Sequence, residues 1–226
     1  MAAVATSEAR RAELVELFNT VSSCTACSLS ETRTKVVFGS GNADAELMFV
    51  GEAPGFHEDQ QGLPFVGAAG KLLESLLGEI GLSREDVFIG NVLKCRPPGN
   101  RDPQADEIEA CQSHLFRQIE LIQPRVVATL GNFATKLLSG SPTGITRVHG
   151  CEQSVRLGNS EVLLYPIYHP AAALYTRAML SVLEEDFARL PQLLGREPAP
   201  TTSETAPAVP VATPVATEYE TQLDLF

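Results

Sequence analysis

The chain has 226 residues, 44% of them hydrophobic and 20% charged, enough for one large domain with or without a tail. With 17 Lys and Arg against 28 Asp and Glu its net charge is −11, which excludes a protein that coats nucleic acid non-specifically. No apolar run approaches the ~20 residues needed to span a bilayer, and Met1–Thr6 lacks a basic-then-apolar leader pattern, so a cytoplasmic protein is expected.

Residues 7–21 predict a helix, with Ser7 as its cap and Leu14, Val15, Leu17, Phe18 and Val21 at helical spacing. Cys24 and Cys27 follow as a C-x2-C pair. Residues 46–50 read as a short buried strand running into Gly51-Glu52-Ala53-Pro54-Gly55. A helix is predicted over 67–80, with Leu72, Leu73, Leu76, Leu77 and Ile80 on one face and Gly81 as its stop. Residues 87–93 form the next strand, and Asp102-Pro103 starts a helix whose inner face carries Ile108, Leu115, Ile119 and Ile122. A strand at 126–130, a short helix at 132–138, a strand at 161–168 and a last helix at 178–194 complete the pattern. Strands alternating with amphipathic helices imply an α/β fold, a three-layer α/β/α sandwich around a mostly parallel sheet.

Beyond Leu194 the composition changes. Residues 197–217 are almost entirely Pro, Ala, Thr, Val, Ser and Glu, and lack the large apolar groups that offset chain entropy; a disordered linker is expected. The expected organisation is a domain at 1–196, the linker at 197–217 and a terminal peptide at 218–226. Residues 197–226 hold five acids and no Lys or Arg, so residues 1–196 carry −6 and all of the basic side chains. A small basic cleft gripping a few phosphates is compatible with that balance.

Ligands of open parallel sheets bind beyond the carboxyl ends of the strands. Those ends here are polar or glycine-rich: Gly51-Glu52, Asn91 with Lys94-Cys95-Arg96, Gly131-Asn132 and His169-Pro170. Each alone reads as a turn or cap residue; together they predict a site on one rim. The cysteines Cys24, Cys27, Cys95 and Cys111, in C-x2-C and C-x15-C spacing, suit either zinc or an iron–sulfur cubane, and Cys151 is left over as a plain thiol.

The segments GEAPGFHEDQQGLPFVGAAGKLL, NVLKCRPPGNRDP and HPAAAL, in that order and with those four cysteines, resemble the family 4 uracil-DNA glycosylases over about residues 20–194. The resemblance implies a monofunctional DNA repair enzyme that flips deoxyuridine out of DNA, hydrolyses its N-glycosidic bond and leaves an abasic site. It also implies a [4Fe–4S] cluster on Cys24, Cys27, Cys95 and Cys111. Such chemistry requires a pocket that stacks the extruded base, reads its edge and stabilises it as a departing anion. Phe65 offers the stacking face, and Asn91 the acceptor and donor that match uracil N3–H and O4. The resemblance makes His169 the donor to O2. Backbone donors near Gly51 and Gly55 approach the base, and Glu52 either activates water or stabilises the sugar cation. Glu58 and Asp59 read as solvated or helix-start acids, and His57 and His149 as surface residues.

Lys94, Arg96 and Arg101 form the densest basic patch and are expected to hold DNA phosphates, with Arg147 and His149 as weaker candidates. Leu174 is expected to wedge into the vacated stack; beyond it, Tyr175-Thr176-Arg177 departs from the family's Arg-Asn-Pro-like continuation. One superfamily branch traps DNA covalently through a histidine in an inserted basic loop. The short segment after Asn91 has no such insertion, which favours hydrolysis. Gln222-Leu223-Asp224-Leu225-Phe226 resembles the pentapeptide by which bacterial proteins dock on the replication sliding clamp; Gln222, Leu223, Leu225 and Phe226 are its expected contacts. A bacterial, nucleoid-associated monomer is the resulting expectation. The rival reading is a catalytically silent lesion-binding module that keeps the pocket and the cluster and recruits repair proteins.

Overall fold

The computed structural model describes residues 6–174 and 176–195. The linker and terminal-peptide expectations fall outside those residues.

Helix α1 (Ser7–Ser22) is capped by Thr6, whose hydroxyl accepts from the Ala9 amide, while the expected cap Ser7 donates to Asp44 instead. After the first cysteine pair come β1 (Ser40–Gly41), β2 (Leu47–Gly51), α2 (Phe56–Gln61), α3 (Ala68–Glu79) and β3 (Phe88–Asn91). Then follow α4 (Ala105–Ile122), β4 (Val126–Leu130), α5 (Asn132–Ser139), α6 (Ile145–Val148), β5 (Gln153–Leu157) and β6 (Ser160–Ile167). Three short helices end the described chain: α7 (Pro170–Ala173), α8 (Arg177–Ala188) and α9 (Leu190–Leu193). The last two replace the single helix expected at 178–194, because Pro191 in the first turn of α9 has no N–H to continue the α8 ladder.

The sheet runs β1-β3-β2-β4-β6-β5. Its inner four strands are parallel, and the two edge strands are antiparallel to their neighbours. Alternation along β2 divides the core. Met48 and Val50 pack with Leu14, Leu115, Ile119 and Leu138 from α1, α4 and α5. Leu47 and Phe49 pack on the other face with Leu73, Leu77, Leu183 and Phe187 from α3 and α8. Both faces of the parallel strands are therefore covered, as the continuous apolar character of β2 and β4 demands. No helix among the described residues is long and apolar enough to cross a membrane.

Because β3, β2, β4 and β6 are parallel and in register, their carboxyl ends share one edge. Gly51 pairs with Asn91, Val50 with Thr129 and Leu130 with Ile167. That edge is where Glu52, Asn91, Gly131 and His169 leave the sheet.

Candidate active site

Gly51 and Asn91 sit side by side at the ends of β2 and β3. The approach leaves no room for a side chain: a Cβ on Gly51 would stand 2.4 Å from Asn91 Oδ1 and 2.8 Å from Phe65 Cζ. Asn91 is buried, and its Oδ1 is the only buried side-chain oxygen or nitrogen among the described residues that has no hydrogen-bond partner. Such an orphaned acceptor costs about 1–3 kcal/mol when left unmet, so its persistence marks a place for a donor from outside the chain.

Phe65 closes this corner. Its ring lies 5.6 Å from the imidazole of His169 with the planes 26° apart. Its backbone is held at φ +53°, an unfavourable conformation for an aromatic residue. Four hydrogen bonds enforce it. Glu58 accepts from the amides of Val66 and Gly67, each at 2.9 Å, and Arg84 donates to the carbonyls of Pro64 and Phe65 at 2.6 and 2.9 Å. Gly70 lets the turn close, since a Cβ there would fall 1.8 Å from the Phe65 carbonyl oxygen.

His169 caps α7, and its Nδ1 accepts from the Ala171 amide at 3.1 Å. A backbone amide can only donate, so Nδ1 carries no proton and the neutral ring holds its hydrogen on Nε2. Burial keeps the ring neutral by pulling its pKa down to about 4, with Glu58 opposing slightly. The imidazole is therefore a fixed, uncharged donor.

Glu52 follows Gly51, and its carbonyl accepts from the Leu93 amide. Burial, and secondarily the charge of Asp102, push its carboxyl up to about 7. It is poised between its two protonation states at neutral pH. Gly55 precedes α2 and makes room for Glu58, whose Oε2 would lie 2.7 Å from a Cβ at that position.

The expected phosphate patch is corrected by the structure. Lys94 is only 1% exposed, and its Nζ donates to the Asn91 carbonyl at 2.8 Å and to Gln118 Oε1 at 2.6 Å. It cannot reach a phosphate, because it follows buried Leu93 into the space under α4. Arg101 stays 36% exposed but is already paired: both terminal nitrogens donate to the fully buried Glu107, at 2.5 and 2.9 Å, and with the Gln104 amide they fix the start of α4. Arg96 is partly buried with its terminal nitrogens unpaired, and Leu174 stands exposed just beyond α7. Of the two readings for Glu58 and Asp59 the helix-start one holds, since both lie in the first turn of α2; each is also engaged, Glu58 holding the Phe65 turn and buried Asp59 accepting from the Thr34 amide at 2.9 Å. His57 is exposed, whereas His149 is partly buried against Asp186.

Cys24, Cys27, Cys95 and Cys111 line one small common cavity, whose wall also carries Arg33, Lys94 and His114. No three His, Cys, Asp or Glu side chains among the described residues are drawn together to hold a metal ion directly; the thiols surround a space. Arg33 donates to Cys95 Sγ and the Lys94 amide to Cys111 Sγ, both at 3.3 Å. Burial raises both thiols, that of Cys111 to about 11, against the pull of Arg33 and Lys94. Four soft donors lining one cavity, two of them already receiving N–H groups, suit a thiolate-bound metal centre. Cys151 is exposed and stands apart.

Sequence reading missed Arg84, Glu58 and Asp102. Glu58 was legible as a helix-start acid, but its grip on the Val66 and Gly67 amides, eight and nine residues on, was not. Arg84, nineteen residues from Phe65, carried none.

The uracil DNA glycosylase superfamily model matches residues 38–190. The chain is 49% identical over 178 residues to a type-4 uracil-DNA glycosylase of Sulfurisphaera tokodaii, covering 76% of this chain and 81% of that protein. It is 44% identical over 191 residues to a type-4 enzyme of Thermotoga maritima, covering 83% and 98%. A type-5 uracil-DNA glycosylase of Pyrobaculum aerophilum is 33% identical over 149 residues, 58% of this chain and 63% of that protein.

Proposed function

The chain belongs to the uracil DNA glycosylase superfamily and to its type-4 branch, and on that premise we propose how its residues excise uracil from DNA. The observation that carries the proposal is the unpartnered Asn91 Oδ1, buried between Gly51 and Phe65. An extruded uracil supplies the missing donor through N3–H, while Phe65 stacks the ring. Cytosine, with an acceptor at N3, leaves that oxygen unmet and is rejected.

The bond that breaks joins N1 of the base to C1′ of the sugar, and both of its electrons leave with the base. Negative charge spreads onto O2, where the fixed Nε2–H of His169 donates. Water adds to C1′ and loses a proton, completing an abasic site. Ionised Glu52 acts on that side, by orienting the water or by stabilising the cationic sugar. Leu174 fills the vacated stack, and Arg96 contacts a phosphate.

The four cysteines would hold a [4Fe–4S] cluster. Bound there, it ties the 24–27 segment to the β3 exit and to α4, a structural cross-link rather than an electron-transfer step. Beyond the described residues, Gln222, Leu223, Leu225 and Phe226 dock this monomer on a bacterial sliding clamp, and residues 197–217 serve as the tether.

The test is release of free uracil from a deoxyuridine-containing oligonucleotide. Turnover by the parent and loss of about 10²–10³-fold in kcat for His169→Ala are expected. No uracil release by the parent overturns the reading and leaves a silent binding module. Iron content and visible absorbance report the cluster. Deleting 222–226 should abolish clamp binding and leave oligonucleotide turnover intact.

A further inference from the structure

We propose that Phe56 and Arg96 form a stacking platform for the base of a nucleotide that flanks the extruded deoxyuridine. The inference rests on the uracil-excision reading and extends it to a DNA contact that the pocket does not use.

Phe56 opens α2, four residues beyond Glu52, and is 51% exposed. Exposure alone makes no site; what sets this ring apart is its neighbours. Phe18 is the other exposed phenylalanine ring among the described residues, and no cation stands over it. The Arg96 guanidinium stands 5.1 Å from the centroid of the Phe56 ring, and the His57 imidazole meets that ring edge-on at 5.5 Å.

The cation is not a loose surface group. Its Nε donates to Asn100 Oδ1 at 2.7 Å, and Asn100 is locked at φ +52° in the tight turn Pro98–Asn100. The terminal nitrogens of Arg96 have no hydrogen-bond partner among the described residues. Arg96 lies five residues beyond Asn91, so both halves of the platform leave strands whose ends build the pocket.

An aromatic ring beside a pinned guanidinium with unused N–H groups is matched to a nucleotide: the base stacks on the ring and its phosphate meets the Nη groups. In a chain of net charge −11, a partly buried cation held in place next to an exposed ring selects an anionic partner over an apolar protein surface. Stacking on a free ring requires a base that is itself unstacked, so the platform serves single-stranded DNA more than duplex.

The experiment uses the full chain and a single-stranded oligonucleotide carrying 2-aminopurine beside a 2′-fluorinated deoxyuridine that resists hydrolysis. Stacking should quench the probe on one side of the lesion. Phe56→Ala should remove that quenching and raise KM on single-stranded substrate by at least about fivefold, the low end of what one stacked base supplies, with a smaller change on duplex. Phe56→Trp should restore both readouts. Phe56→Leu, which keeps apolar bulk without a π-face, should not. Quenching and KM unchanged in Phe56→Ala, or full rescue by leucine, would overturn the platform while uracil release by the parent still stood. Failure of the parent to release uracil would instead strike the underlying reading.

Discussion

Two regions three residues apart in sequence treat buried polarity in opposite ways. Around Asn91 the polar groups are left wanting: one amide oxygen has no partner, a carboxyl is lifted to about 7 and an imidazole lowered to about 4. Around Lys94 and Cys95 the groups are engaged: the ammonium has two acceptors, and two thiols each receive an N–H. Unmet polarity marks where a transient polar guest enters and leaves; satisfied polarity marks a scaffold for something that stays. The β3 exit joins the two, so whatever occupies the thiol cavity holds Asn91 in place.

If that division is right, substitutions on the two sides separate catalysis from stability. The largest effect belongs to the pocket: His169→Ala should lower kcat by about 10²–10³-fold with iron content unchanged. Cys95→Ser should do the reverse, lowering iron content and thermal stability before it touches the chemistry of folded, loaded enzyme. Iron loss in the first variant, or a kcat defect without instability in the second, breaks the contrast.

The pH profile sharpens it. Glu52 must be ionised to act and His169 neutral, so activity should rise through about pH 7 and stay insensitive to His169 until about pH 4. Asp102→Asn removes the neighbouring charge that helps hold the Glu52 carboxyl up, and the acidic limb should move to lower pH. Glu52→Gln should erase the limb. The stability change has a defined sign: a carboxyl raised above its ordinary 4.5 in the folded state destabilises it as pH climbs from there to about 7. Glu52→Gln should therefore melt higher than the parent above pH 7 and equal to it near pH 4.

A smaller effect tests whether the strained turn belongs to the pocket. Arg84→Ala removes both donors to the Pro64 and Phe65 carbonyls without touching any group at the base edge. We expect kcat/KM to fall about tenfold as Phe65 relaxes from its positive φ, at a stability cost of about 1–2 kcal/mol. Arg84→Lys should recover part of each. A stability loss with unaltered kcat/KM would make Arg84 a loop anchor only.

The strand-end logic was legible in sequence because four parallel strands reduce the problem to reading the residues just after each apolar run. Gly51, Asn91 and His169 were placed on the rim that way, and β4 was bounded at 126–130. The edge strands were not: β1 has two residues, and β5 is mostly exposed, so neither carries an apolar pattern. Side-chain direction was also illegible. Lys94, Arg96 and Arg101 look alike as a basic run, yet Lys94 points under α4, Arg101 pairs with Glu107 at the α4 cap and Arg96 lies over Phe56 with its terminal nitrogens unused. Only the partners Gln118 and Glu107, 24 and 6 residues away, decide which is which.

That three-way split yields the finest test. Replacing a phosphate-binding cation should reduce the slope of log affinity against log salt by nearly one on duplex, and by about 0.7 on a single strand. Arg96→Ala should show that loss with little change in melting. Lys94→Met should leave the slope untouched and instead destabilise the chain by about 1–3 kcal/mol, because Gln118 Oε1 loses its buried donor. A reduced salt slope in Lys94→Met would mean that the ammonium leaves its buried acceptors when DNA binds, and the scaffold side of the β3 exit would then move with the ligand rather than hold still beneath it.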